Sequence, residues 1–530
     1  MTPHIAKTSI PRRVLYAATI TGLAAGLAAW SAAPYAPPPP PVFDGDEAFV
    51  DEVTELIDPR GVQGLSAVRF PAGDPSALEH VHGGTTDGET PVTGDTLFET
   101  GSLFKLFTAM TLADMVETGE TSVDRTVAEV FPDAEILDPR VADATLEDLA
   151  THHSGLPTAP ADDLFRHYVL PSLVFSDVYG HSRDPLSALA VTSAATPGEH
   201  GYSNLGFSLL GRALAAEAGA ESYEETVRER VLDPLGMDDT VIVSGVPEGG
   251  APPHIAPGHP TEPWHNTDYA PAGVATWSTP DDLARFLAAV IDGTAPGMSA
   301  LEPVYRDVSF AAEGTEVPAP EEDDRGLHSS SFDQGLGWII VEDPELGAVR
   351  LHTGGTLGSN TIAAFTDTEA VVVMSGSLTL DAVTLGVELL RDDPRPLEGP
   401  PSVMVALSAA LTCVMALVPP LLLLSLVLRR RTLITGRPID RLRIVSLSLG
   451  AVAWAATAQT QGDWVTVPMT VWAVGVGTVA AALVVGARHL RRVPVEAGRW
   501  RWLHVPVFVL SVLFSAALGA LALWSLAITL

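Results

Sequence analysis

The 530-residue chain carries 65 acidic and 30 basic side chains, a formal net charge of −35, and one cysteine. Its length exceeds one average domain. The acidic balance argues against binding nucleic acid or anionic lipid surfaces, and a single cysteine excludes an internal disulfide. The charge is unevenly placed. Residues 34–400 hold 62 acids against 16 basic residues, a net of −46, whereas residues 401–530 hold three acids against 11 arginines. So acidic a body repels itself, which predicts dependence on high salt; full stability in dilute buffer would argue against it.

In chain order, Lys7, Arg12 and Arg13 precede an apolar run over 14–33 that contains no acid. Residues 1–33 therefore read as a signal peptide or a retained membrane anchor, with Ser31, Ala32 and Ala33 small enough for cleavage. Six prolines in 34–41 make 34–43 a stiff linker. The body, 44–392, opens with a helix over 44–57 and strands over 64–70 and 77–82. Apolar spacing predicts helices over 103–117, stopped by Gly119, and over 204–218. Pro280-Asp281-Asp282 opens another that runs to 291. An acidic loop over 313–324 precedes strands at 335–341, 348–352, 361–365 and 370–375. Strands at both ends with helices between them predict an α+β domain whose sheet joins N- and C-terminal segments.

Residues 401–530 read as an all-α region of four membrane spans, 403–428, 444–458, 465–487 and 505–528, the second being short. Cys413 lies in the first. Arg429, Arg430, Arg431, Arg437, Arg441 and Arg443 follow the first span. Arg488, Arg491, Arg492, Arg499 and Arg501 follow the third, and the 459–464 loop has no basic residue. The positive-inside bias then places both clusters in the cytoplasm and the body outside the cell membrane.

Only two lysines, Lys7 and Lys105, occur beside 28 arginines. A lysine kept where arginine is the habit suggests chemistry that needs a removable proton. Ser102 lies three residues before Lys105, one helical turn away, which is the spacing of an activated serine nucleophile. The plainer reading makes Ser102 a helix N-cap. A second motif, Tyr202-Ser203-Asn204, either caps the next helix or supplies Tyr202 as a phenol or phenolate that relays protons, with Lys105 as the nearby positive charge. A third, His352-Thr353-Gly354-Gly355, ends a strand. Its glycines either turn the chain or let a substrate approach, with backbone N–H groups of Ser102 and Gly355 forming an oxyanion hole.

These three motifs, in this order, resemble the serine β-lactamase and penicillin-binding-protein superfamily, nearest to class C β-lactamases and related esterases and D-amino-acid peptidases. Leu149-Ala150-Thr151-His152-His153-Ser154-Gly155-Leu156-Pro157, Pro234-Leu235-Gly236-Met237 and Gly335-Leu336-Gly337-Trp338 match as well. The resemblance implies an antiparallel sheet flanked by helices, a mostly helical subdomain, and acyl-enzyme chemistry without metal or cofactor. Ser102 matches the nucleophile, Lys105 its activating partner and Tyr202 the general base. Asn204 matches a contact to the substrate amide or to Lys105, and His352, Thr353 and Gly354 match substrate-binding positions. The best-known β-lactamases have lysine where this chain has His352, so a permanent cation for a substrate carboxylate is missing. This favours an esterase or a peptidase acting on D-amino-acid amides over a β-lactamase. The expected protein is a membrane-tethered extracytoplasmic serine hydrolase acting on an ester, a D-amino-acid amide or peptide, or a β-lactam. Its expected partners are a small-molecule or cell-envelope substrate and the lipid bilayer; protein partners stay open. The alternatives are a slowly deacylating penicillin-binding sensor and an inert binding module.

Overall fold

The computed structural model describes residues 10–159, 170–309, 327–399, 402–428, 440–490 and 501–529. The expected acidic loop at 313–324, Lys7, and Arg429, Arg430, Arg431, Arg437, Arg491, Arg492 and Arg499 lie outside the described residues. The chain forms two units, Pro38–Leu397 and Met1–Pro37 with Glu398–Leu530.

Pro38–Leu397 is built on one antiparallel sheet. Its strands are β1 (Phe43–Gly45), β2 (Gly64–Pro71), β3 (Glu79–Gly84), β4 (Tyr305–Ser309), β5 (Ser331–Gln334), β6 (Ile339–Asp343), β7 (Gly347–Gly355), β8 (Asn360–Phe365) and β9 (Glu369–Ser375). They lie in the order β1-β3-β2-β9-β8-β7-β6-β5-β4. The β2–β9 pair, in register from Glu369↔Pro71 to Ser375↔Leu65, closes the two ends of the body into one sheet. This is the α+β arrangement that the strand placement predicts.

Strand alternation divides the core in two. Val68, Phe70, Ala370, Val372 and Met374 point into one core. Leu65, Ala67, Val371 and Val373 point into the other. Both faces are covered, so β9 reads as a nearly continuous apolar run. Each buried Val, Leu or Phe side chain contributes about 1.5–3 kcal/mol. One face carries α1 (Glu47–Leu56), through Phe49, Val53 and Leu56, and the C-terminal helix of the body, Ala382–Glu388. The other carries α2 (Lys105–Glu117), α3 (Asn204–Ala218) and α4 (Pro280–Ile291). Helix α2 is buried almost all round, as the central helix of a larger unit must be.

The differences from the sequence reading have local causes. The strand expected from 335 begins at Ile339, because Gly335–Gly337 turns, with Gly337 at φ +69°. The short strands β1, β4 and β5 lack an apolar alternation and escaped prediction. The helix expected from 103 begins at Lys105, preceded by a 3-10 turn over Gly101–Phe104.

Among the described residues, the second unit contains five helices, Arg12–Ser31, Ser402–Leu428, Asp440–Gln461, Thr470–Leu490 and Arg501–Thr529. All five contain a stretch long and apolar enough, by length and composition, to cross a membrane. The expected short span at 444–458 is a full 22-residue helix that continues through its polar ends.

Candidate active site

Ser102 lies in the 3-10 turn and makes no cap; the residue before α2 is Phe104, which has no side-chain cap bond. The capping explanation of Ser102 is therefore removed by the local geometry. The turn holds Ser102 where its Oγ is 2.5 Å from the Tyr202 hydroxyl. Lys105 Nζ donates to Ser102 Oγ at 2.7 Å, to the Ala272 carbonyl at 2.8 Å, and to the Tyr202 hydroxyl. Three acceptors match the three protons of an ammonium. The Nζ also lies 4.7 Å from the Tyr202 ring centroid and 5.6 Å from that of Phe207. Lys105 is 0% exposed and Ser102 3%.

Tyr202 owes its position to two neighbours. Ser203 is the N-cap of α3, accepting from the Gly206 N–H at 2.8 Å. His152 holds the other side. Its carbonyl accepts from the Gly201 N–H at 2.8 Å and its Nδ1 from the Ser203 N–H at 3.1 Å. Its ring lies 4.5 Å from that of Tyr202. His152 has φ +63°, a left-handed conformation that histidine tolerates better than most residues. Burial, then the Lys105 charge, keep it neutral, with its pKa well below the usual histidine range.

The third motif closes the site from the sheet. Pairing of β6 with β7 ends at Ile339↔Leu351, so residues 352–355 of β7 have an open edge on that side. His352 and Gly354 pair with Ala363 and Thr361 on the face toward the nucleophile turn, where Thr361 Oγ donates to the Thr100 carbonyl at 2.9 Å. Thr353 pairs with Ile362, which belongs to the other core, so alternation sets its side chain on the opposite face. His352 Nδ1 donates to the Thr353 carbonyl at 2.6 Å, which leaves Nε2 as an acceptor. Burial, then the Lys105 charge, push its pKa down to about 3.

Two glycines make the assembly sterically possible. A Cβ at Gly354 would overlap the Thr100 carbonyl oxygen. One at Gly273, which has φ +97°, would overlap the Gly101 carbonyl and stand 2.8 Å from the Ser102 nitrogen. Close backbone approach at these two glycines thus clasps the nucleophile turn between β7 and the segment that follows the 3-10 turn Thr267–Ala272. Asn204 Nδ2 donates to the Tyr179 hydroxyl at 2.6 Å, and its buried Oδ1 has no hydrogen-bond partner among the described residues.

Glu99 belongs to none of the three motifs, although an acid between Phe98 and the nucleophile turn is itself a signal. Glu99 is buried, accepting from Thr356 Oγ at 2.7 Å and from the Trp264 N–H at 2.9 Å. It ties the short strand Phe98–Glu99, which precedes the nucleophile turn, to the turn after Gly355. Burial pushes its pKa up to about 7, against the pull of these two donors. Its folded value therefore lies above the unfolded one, and the folded body holds a proton that the unfolded chain releases. This contribution is fully present below about pH 4.3 and is lost as pH rises to about 7. Glu99→Gln should flatten that loss by about 1–3 kcal/mol. Denaturant unfolding at pH 5 and pH 7.5 checks it; an unchanged difference between the two pH values would contradict it.

Comparison with known proteins identifies the family and the fold. The family model described as Beta-lactamase matches residues 49–382. Penicillin-binding protein 4 of Amycolatopsis lactamdurans is 29% identical over 189 residues, 34% of this chain and 45% of that protein. The D-alanyl-D-alanine-carboxypeptidase/endopeptidase AmpH of Escherichia coli (strain K12) is 27% identical over 270 residues, 47% of this chain and 62% of that protein. The chain thus spans less than two thirds of the length of both relatives. Among solved structures, the β-lactamase/D-alanine carboxypeptidase of Yersinia pestis complexed with citrate aligns with a TM-score of 0.52 at 21% identity. That alignment covers 65% of this chain and 98% of that one, and it shows the shared fold. The chain belongs to the serine β-lactamase and penicillin-binding-protein superfamily, whose members are serine hydrolases.

Proposed function

We propose that the body is a serine acyl-transfer hydrolase tethered to a membrane, with its site on the extracytoplasmic side. The observation that carries this reading is the closed triangle of Ser102, Lys105 and Tyr202, three polar groups in mutual hydrogen bonds around a fully buried amine. In the proposed reaction Tyr202 starts as the phenolate, and the Ser102 hydroxyl passes its proton to that oxygen while Oγ bonds to the substrate carbonyl and the carbonyl π bond opens to an oxyanion. Lys105, donating to both oxygens, stabilises negative charge on either. The Ser102 and Gly355 N–H groups hold the oxyanion. Tyr202 then protonates the leaving group as its bond to carbon breaks, and water releases the acyl group by the reverse sequence.

His352 supports a substrate preference. A neutral imidazole offering Nε2 as an acceptor cannot anchor a carboxylate as lysine would, but it suits a substrate N–H. The open Oδ1 of Asn204 suits another. The acidic body also disfavours anionic ligands. D-amino-acid amides and neutral esters therefore fit better than β-lactams. In this reading residues 44–392 form the hydrolase, 34–43 a spacer, and 401–530 a membrane region.

The test is turnover by the full-length protein in detergent at high salt, with p-nitrophenyl esters, D-alanyl amides and nitrocefin. Multiple turnovers, fastest on the first two, are expected. One stoichiometric acylation without release would favour the penicillin-binding sensor, and no acylation at all would favour the inert module.

A further inference from the structure

Read by itself, the segment 1–33 suits a cleaved leader as well as a lasting anchor. We propose that its helix, Arg12–Ser31, is retained in the mature protein as an integral member of the membrane bundle, seated along Thr470–Leu490. Ala18, Gly22 and Gly26 recur every four residues and share one face; Ala473, Gly477 and Ala481 do the same on the partner helix. The two stripes meet backbone to backbone. A Cβ added at Gly22 would stand 2.8 Å from the Gly477 carbonyl oxygen and 3.0 Å from Ala481 Cβ. One at Gly26 would stand 3.2 Å from the Ala473 oxygen, and one at Gly477 would stand 2.6 Å from the Gly22 oxygen. Close approach of small residues is how helices associate in lipid, where burying apolar surface brings no gain over the acyl chains.

Two observations outside this stripe point the same way. Tyr35, beyond the helix and beyond the small residues at 31–33, is 1% exposed and packed with Met415, Ala416, Ala458, Trp464 and Val467. The segment leaving the helix is thus built into the bundle as well. The order of contacts also makes the two helices antiparallel, since Gly22 meets Gly477 and Ala481 while Gly26 meets Ala473 and Gly477. Arg12 and Arg13 then fall at the same end as Arg488 and His489. That is the arrangement which the positive-inside bias requires of two spans crossing in opposite directions. Loss of the helix would leave Ala473, Gly477 and Ala481 facing lipid with a groove and nothing to fill it.

The experiment uses the full chain with one tag at each end and a protease site inserted between Pro40 and Pro41, expressed in bacterial membranes and extracted in mild detergent. The mature chain is expected to keep its N-terminal tag. After cutting, the N-terminal fragment should co-purify on the C-terminal tag, and most of it should be released in the G22L/G26L variant. A mature chain shortened by the 1–33 segment would overturn the proposal. So would a wild-type fragment that washes away after the cut, or a double-leucine fragment that stays bound like the wild type. The wild-type measurements decide the matter even if the double variant fails to accumulate.

Discussion

Replacing Ser102 by alanine is expected to abolish covalent labelling by fluorophosphonate or penicillin-type probes and to lower kcat/KM by at least about 10⁴-fold. The change removes one oxygen from a site whose walls are backbone and buried rings. The body should therefore fold as before, and an unaltered thermal unfolding profile is the control. Its effect is the largest because no second hydroxyl is presented by the same turn: Ser102 is the only hydroxyl-bearing residue of Gly101–Phe104. Undiminished labelling of the alanine variant would refute the assignment of the nucleophile.

The second large effect is expected from Lys105→Arg, which keeps the charge and removes the chemistry. Arginine does not release its proton, and its planar fork cannot point three donors at Ser102 Oγ, the Tyr202 hydroxyl and the Ala272 carbonyl as an ammonium does. The amine is also fully buried, with the buried Phe207 ring 5.6 Å from it. Acylation should fall by about 10³-fold or more, expressed in kcat. A Lys105→Arg enzyme within tenfold of wild type would show that the three-donor ammonium is not needed to stabilise charge on the two oxygens. Lys105→Ala with added methylamine separates the two roles. Partial rescue by the free amine, protonated at neutral pH, is expected if the lost group stabilises charge on the two oxygens, and none if it only filled space.

Much of the site was legible because chemistry is concentrated in residue identity. Lys105 stands out by its rarity, and Ser102, Tyr202 and His352 belong to short patterns that place each at the start of a helix or the end of a strand. The α+β class was legible from apolar runs, which strands β2, β8 and β9 keep because each lies between two packed cores. The edge strands β1 and β4 and their short neighbour β5 were not, since such short, mostly polar strands carry too few apolar residues to show a pattern. His152 and Glu99 were not assigned roles, because each acts through a contact with a distant segment: His152 with Gly201 and Ser203, Glu99 with Trp264 and Thr356. No local spacing encodes such a contact.

By itself the sequence determined the charge partition, the apolar helices and the identity of the groups able to do acyl-transfer chemistry, since these depend only on which residues are present and how they repeat. The tertiary structure decided that Ser102, Lys105, Tyr202 and the Ala272 carbonyl meet within hydrogen-bonding distance, and that the strand ending at Gly355 lies against the nucleophile turn. It also decided that Gly22 and Gly477 touch. Apart from Ser102 and Lys105, which are one helical turn apart, these meetings join residues about 97 to 455 positions apart. They are set by backbone approach across glycines and by the β2–β9 pairing that closes the sheet, and neither leaves a periodic mark on the chain.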